Sequence, residues 1–341
     1  MEENKSFVEV TDISFIEFSG SHPELLDDLF KQMGFSVREK DGMFFYNIAD
    51  INFISNPTSG GSAEAFRNKH VRGASAMGFK VGNSQKTYEL ALSLGAEPAE
   101  AADLGIPAIK GVGAAIIYLV DEANEHTLFE KFGFDKTCDK FSANSLARVD
   151  HLTHNLHTGG VSRMCKFYED VFGFSRIRKF DINGKKTGLF SEVVSSANGR
   201  VVIPLNESKD DKSQIAEYLE EYNGEGIQHI ALLCDDIFDT VGSLKSNGIP
   251  FQDTLDTYYE QVEERVPGHG EDMEALQQHR ILIDGGEAQG GGLLLQIFTK
   301  NSIGPIFFEF IERKGNKGFG EGNFQALFDS IELDQERRGV I

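Results

Sequence analysis

"LLDDLFKQMGFSVREK" (Leu25 to Lys40) can be laid over "MCKFYEDVFGFSRIRK" (Met164 to Lys179). Each reads as an amphipathic helix, then a Gly-Phe turn, then a short strand ending in basic residues. A strand-like run precedes each one, "DISFIEF" in the first case and "VDHLTHN" in the second. Farther on, "ASAMGFKV" and the helical "YELALSLGAEP" parallel "IQHIALLC" and "VGSLKSNGIP". A repeat on this scale sets the architecture, because the same supersecondary unit recurs in order along both halves. The expected fold is α+β: duplicated β-α-β-β-β modules whose curved sheets form two open-barrel domains, each a cup able to hold a ligand. The boundary falls near "CDKFSANSLARVD" (Cys138 to Asp150), which gives an N-terminal domain over 1–145 and a C-terminal domain over 146–341. Helical connectors around Ser213 to Tyr222 and Met273 to His279 are extra pieces of the second half. The glycine-rich "GGEAQGGG" before Leu293 reads as a turn between two strands.

At 341 residues the chain is long enough for two domains with their own cores. Its 40% hydrophobic and 26% charged residues are those of a soluble globular protein. With 33 basic against 54 acidic residues the formal charge is −21, which argues against a nucleic-acid or anionic-membrane partner. Cys138, Cys165 and Cys234 are odd in number and form no CxxC pair, as expected of reduced thiols in a cytoplasmic protein. The start "MEENKSFVEV" lacks the basic and apolar regions of a secretory signal. The most apolar stretch, "GVGAAIIYLV", is about half the length needed to cross a bilayer.

In "PIFFEFIER" (Pro305 to Arg313) a strand places Phe307, Glu309 and Ile311 on one face. A carboxylate aligned with an aromatic ring and a branched aliphatic chain is turned away from water, so it must protonate or find a cation. The same alternation puts His151 with Thr153 and Asn155 in "VDHLTHN", and His229 with Ile227 and Ala231 in "GIQHIALL". In the overlay of the two halves His151 lies opposite Phe15 and His229 opposite Ala76, so only the second cup carries the polar set. Two imidazoles and a carboxylate with positions left open form the facial set of mononuclear non-haem iron(II) oxygenases. Taken singly, a histidine on an apolar strand face is more often a hydrogen-bonded core residue. His154 and His157 are expected at the surface, and His269 and His279 sit in polar, helix-or-loop surroundings. Gln296, sharing a face with Leu294 and Phe298, and Asn206, sharing one with Val202 and Pro204, offer uncharged donors and acceptors to a phenol or a carboxylate tail. A cross-strand hydrogen bond explains either amide equally well. Phe298, Phe307, Phe319 and Phe324 fit either a dry pocket wall or plain core. No Walker loop, dinucleotide fingerprint or GxSxG elbow points to another chemistry.

"YYEQVEERVPGHGED", "ILIDG", "LLLQIFTK", "FFEFIERKG" and "GFGEGNFQALFDSIELDQERRG" resemble the 4-hydroxyphenylpyruvate dioxygenase family of the vicinal oxygen chelate superfamily. The resemblance covers nearly all of the second half in the right order and extends more loosely through the first. One departure is Gly286, where the family often has an acidic residue. The resemblance implies one Fe(II) per chain on His151, His229 and Glu309. It places Ser191, Asn206, Gln214, Gln228 and Gln296 in the substrate pocket or behind it, with Pro204, Phe307 and Phe319 along its wall. Phe298 and Phe324 would pack against the substrate ring, and a C-terminal helix beginning near Gly320 would act as a gate. The implied reaction takes 4-hydroxyphenylpyruvate and O2 to homogentisate and CO2, by oxidative decarboxylation, ring hydroxylation and side-chain migration. Association into a homo-oligomer, dimer or tetramer, through the N-terminal half is expected. The nearest rival is 4-hydroxymandelate synthase, which uses the same substrate and hydroxylates the benzylic carbon. Extradiol catechol dioxygenases share the modules but need an acid/base histidine and tyrosine that have no place here. A metal-free small-molecule-binding protein of the same fold is the alternative outside enzymes.

Overall fold

The computed structural model describes residues 7–134, 145–183, 188–286 and 291–339. Cys138, most of the boundary segment and the middle of the glycine-rich turn lie outside the described residues. The first half runs β1 (Asp12–Gly20), α1 (Pro23–Gln32), β2 (Ser36–Lys40), β3 (Met43–Ile48), β4 (Ile51–Ser55), α2 (Ser62–His70) and β5 (Arg72–Lys80). It continues with α3 (Ser84–Ser93), β6 (Ala108–Lys110), β7 (Ile116–Val120) and α4 (Glu122–Phe132). Its strands form one seven-stranded sheet in the order β2-β3-β4-β1-β5-β7-β6.

The second half opens with β8 (Leu146–Leu156), α5 (Gly160–Phe172), β9 (Ser175–Asn183), β10 (Gly188–Ser195), β11 (Val202–Ser208), α6 (Gln214–Glu221) and β12 (Gly226–Cys234). Then follow α7 (Ile237–Ser246), α8 (Asp256–Glu260), α9 (Val262–Arg265), α10 (Met273–His279), β13 (Leu282–Gly285), β14 (Leu293–Phe298), β15 (Phe307–Lys314) and α11 (Glu321–Arg337). The eight strands are ordered β9-β10-β11-β8-β12-β15-β14-β13, the first sheet's pattern with one strand added. Both sheets begin each copy the same way: β1 pairs with β4 in parallel, and β8 pairs with β11 in parallel.

The repeated Gly-Phe turn has a backbone cause. Gly34 after α1 and Gly173 after α5 adopt φ of +90° and +63°, the left-handed region that closes a helix and disfavours a side chain. The phenylalanines that follow, Phe35 and Phe174, donate their N–H groups back to the carbonyls of Phe30 and Tyr168 and bury their rings. β1 and β8, in the middle of their sheets, are buried on both faces over most of their length. Cys165 on α5 and Cys234 on β12 are free, buried thiols, and burial pushes each up to about 12. Among the described residues no helix is long and apolar enough to cross a membrane.

Candidate metal centre

β8, β12 and β15 are consecutive in the sheet order, and each brings one candidate ligand to its middle. His151 and Glu309 are each 3% exposed, and His229 is half-buried. One ring nitrogen from each histidine and one Glu309 oxygen all lie within 4.8 Å of one another. Among the described residues this is the one cluster of histidine, cysteine and carboxylate side chains arranged to hold a metal ion.

Hydrogen bonds behind the rings decide which atoms face the cluster. His151 Nδ1 lies 2.8 Å from a carboxylate oxygen of buried Asp150, which accepts, so Nδ1 carries the proton and Nε2 presents a lone pair. His229 Nδ1 lies 2.5 Å from Gln228 Oε1, another acceptor, which leaves its Nε2 in the same state. The two Nε2 atoms are 3.3 Å apart, and Thr153 Oγ1 is 2.9 Å from that of His229. Two lone pairs at that distance repel unless a proton or a cation lies between them. With Glu309 adding a negative charge, a divalent cation satisfies all three donors, and the N,N,O set suits a first-row metal. The phenyl ring of Phe307 stacks on the His229 imidazole, centroids 5.0 Å apart and planes 14° from parallel.

The amides and the wall group around these ligands along two rows. Ser191, Asn206 and Asn155 are paired across β10, β11 and β8, so they share a face, and alternation puts Asn155 on the His151 side of β8. Ser191 and Asn155 are buried, Asn206 is half-buried, and Pro204 lies buried two residues before it. On β14, Phe298 is paired with Glu309 and Gln296 with Ile311, which places both on the Glu309 face. Gln296 Nε2 donates to Glu309 Oε1 at 3.3 Å, and its Oε1 accepts from Asn323 Nδ2 at 3.2 Å. Gly320, which precedes α11, has φ +74°, and a Cβ there would come within 1.7 Å of Gln296 Oε1. Only glycine lets the chain pass so close to that amide.

Phe319 is half-buried with the Arg313 guanidinium 5.6 Å from its ring centre. Phe324, on the first turns of α11, is 44% exposed. Gln214 is exposed as the first residue of α6, capped by Ser213. His154 corrects the expectation of a surface residue: it is fully buried on the other face of β8, its Nε2 2.9 Å from the Tyr168 hydroxyl. Burial holds its imidazole down to about 3, so it stays neutral. A strand in the middle of a sheet, with a helix behind it, has no solvent face for a histidine to use. His157 is exposed as expected, and neither His269 nor His279 belongs to the triad. Asp150 and Asn323 were not legible from alternation, since one is the neighbour of a ligand and the other lies on a helix.

Residues 5–137 match the family described as hydroxyphenylpyruvate dioxygenase, HPPD, N-terminal. Residues 148–264 match the glyoxalase/bleomycin resistance protein/dioxygenase superfamily. A 4-hydroxyphenylpyruvate dioxygenase of Legionella pneumophila is 46% identical over 334 residues, covering 96% of this chain and 95% of that protein. Another, from Pseudomonas aeruginosa, is 46% identical over 342 residues with the same coverage of each. A solved 4-hydroxymandelate synthase variant from Streptomyces coelicolor covers 96% of this chain and 99% of its own, with a TM-score of 0.78 at 22% identity, a likeness of fold.

Proposed function

Since the chain belongs to the 4-hydroxyphenylpyruvate dioxygenase family, we propose that it converts 4-hydroxyphenylpyruvate and O2 to homogentisate and CO2 with one Fe(II) held by His151, His229 and Glu309. The observation that carries the metal assignment is the convergence of two imidazole lone pairs and a buried carboxylate within 4.8 Å. A ferrous ion bound there supplies a chelating centre for a 2-oxo acid and the electrons that activate dioxygen.

The chain's own part is to bind, orient and keep water out. Asp150 and Gln228 hold the two imidazoles ring-nitrogen first toward the metal position. Phe307, on the His229 ring, and Phe298, beside Glu309, supply dry walls suited to an aromatic substrate. Ser191 and Asn206 offer hydroxyl and amide groups to the phenol end, which needs a donor or an acceptor but no counter-charge. Gln296 has one N–H on Glu309 and one lone pair on Asn323, which leaves its remaining N–H and lone pair for substrate. Phe324 and α11 would close over the ring, with Phe319 and Pro204 in the wall. Gln214 and Gln228 would stand behind the pocket. On this reading residues 1–145 are a metal-free copy of the 146–341 domain. The same reading has the protein work in the cytoplasm as a homo-oligomer joined through its N-terminal half, which light scattering showing only monomer would remove.

The test is an anaerobic titration of the Fe(II)-loaded protein with 4-hydroxyphenylpyruvate, followed by admission of air and chromatography of the product. A weak visible charge-transfer band followed by homogentisate is expected. Hydroxymandelate would keep the site and change the ring orientation. No band and no oxygen uptake would sink the enzymatic reading in favour of a binding protein.

A further inference from the structure

A directional chain of hydrogen bonds leads from Glu309 to the helices α8 and α9. Its outer end is Arg265, whose Nη2 donates to the Tyr258 hydroxyl at 2.7 Å. The Ile283 N–H donates to the same oxygen at 2.9 Å. A guanidinium and a backbone N–H can only donate, so the phenol must spend its single proton elsewhere. Asn323 Oδ1 at 2.6 Å and the Ile283 carbonyl at 3.1 Å compete for it, and the shorter contact is to Asn323. With its oxygen turned to Tyr258, Asn323 presents its NH2 group to Gln296 Oε1, and Gln296 in turn presents its own to Glu309. Two amides whose orientation is ordinarily free to flip are thus set by the two donors on the Tyr258 oxygen, Arg265 and the Ile283 N–H. Tyr258, Asn323 and Gln296 are all buried, so a reversed amide would leave polar atoms facing one another without water to relieve them.

Neighbouring residues hold α11 at its first turn and again farther along the helix. Asp284, 3.6 Å from Arg265, accepts the Gly322 N–H at 2.8 Å, and Thr257 beside Tyr258 donates to the Ser330 carbonyl at 2.7 Å. Gly320 lies against the Gln296 amide itself. The first turn of α11 and the Glu309 carboxylate therefore both touch one network.

We propose that Tyr258, oriented by Arg265, and Asn323 are positioning residues that couple docking of the first turn of α11 to Glu309 and so to metal affinity. The proposal rests on Glu309 being a metal ligand, and its test uses neither substrate nor oxygen. Coupling of this kind is reciprocal: metal on Glu309 tightens the first turn, and loosening that turn weakens metal. The probe is Co(II) added to metal-free protein, read by its visible absorption and by hydrogen exchange of the amides of residues 320–324. In the wild type, Co(II) slows exchange across that turn. In Tyr258→Phe and Asn323→Ala the Co(II) affinity falls about tenfold, the lower end of the effect of residues behind metal ligands, and the metal-dependent slowing disappears. A merely structural role would speed exchange equally with and without Co(II) and leave affinity in place, and that outcome overturns the proposal. The wild-type measurement decides even if a variant does not fold, because a bound metal that leaves residues 320–324 unchanged also overturns it. Failure to bind Co(II) at all would instead strike the metal assignment of the preceding section, and homogentisate production tests the reaction separately.

Discussion

Glu17 on the first sheet and Glu309 on the second are both buried, and they are treated in opposite ways. Glu17 on β1 is fully buried, with donors from Ser75 Oγ at 2.8 Å and Asn56 Nδ2 at 3.2 Å. Burial pushes it from the ordinary 4.5 up to about 7, so near neutrality it readily takes a proton. Glu309 instead faces imidazole nitrogens whose protons are held on their far side. The positions around them differ to match. Where the second half has His151 and His229, the overlay places Phe15 and Ala76 in the first. Tyr118 stands on β7, the strand that takes the place of β15 in the first sheet's order. The Phe15 and Tyr118 rings are 5.6 Å apart, and Phe15 lies so close over Gly78 that a Cβ there would be 2.7 Å from its ring. One cup is filled with aromatic core, and burial there raises its carboxyl toward neutrality. The other gathers two imidazoles and a carboxylate in a set that could hold a metal ion.

The largest effect should come from Glu309→Gln, which keeps the size and removes the charge. Metal affinity should fall at least about a hundredfold, beyond the range of residues behind the ligands. Turnover should fall with it while the melting temperature of the metal-free protein barely moves. Metal analysis and calorimetry check this, and a variant that kept its iron and its rate would end the distinction between the two glutamates. Phe15→Ala should do the reverse, costing about 3–5 kcal/mol of stability in a urea melt, as loss of a buried ring does, with metal binding intact.

Glu17→Gln sharpens the contrast through pH. Because the folded pKa is raised, the native state holds this proton more tightly than the unfolded chain. The stability it brings is complete below about pH 4.5 and lost as pH rises through about 7. That window is worth roughly 3 kcal/mol by the shift alone. The difference between wild type and Glu17→Gln in urea melts from pH 5 to 8 should follow it, the variant gaining on the wild type as pH rises. A constant difference would mean that Glu17 is ionised throughout. The smallest effect is expected from Asn206→Ala, with KM up about tenfold, the worth of one hydrogen bond, and metal content unchanged. Steady-state kinetics beside metal analysis reads both, and loss of metal would move Asn206 into the ligand set.

The triad was legible because a polar residue alternating with apolar ones is conspicuous at period two, and the repeat supplied a control in which the same positions are apolar. The Gly-Phe turns were legible because their left-handed glycines leave a sequence mark in both copies. His154 was misjudged by the same alternation, which names the opposite face of a strand without saying whether a helix covers it. Tyr258, Asn323 and Arg265 lie in the quoted motifs but gave no periodic signal of their role, since their contacts join α8, α9, β14 and α11, whose meeting no periodicity records. Asp150 escaped for the contrary reason: one residue from His151, it belongs by alternation to the other face, yet its carboxylate reaches back to the ring.

The two buried thiols also make this protein a reporter of its own opening. Burial pushes the Cys165 and Cys234 thiols up to about 12, which keeps them protonated near neutral pH, and only the thiolate reacts. An alkylating reagent or peroxide in the surrounding solution reaches them chiefly when the sheet parts. When reclosing outpaces the reagent, their labelling rates read how much of the protein is open around each, one cysteine on α5 and one on the strand that carries His229.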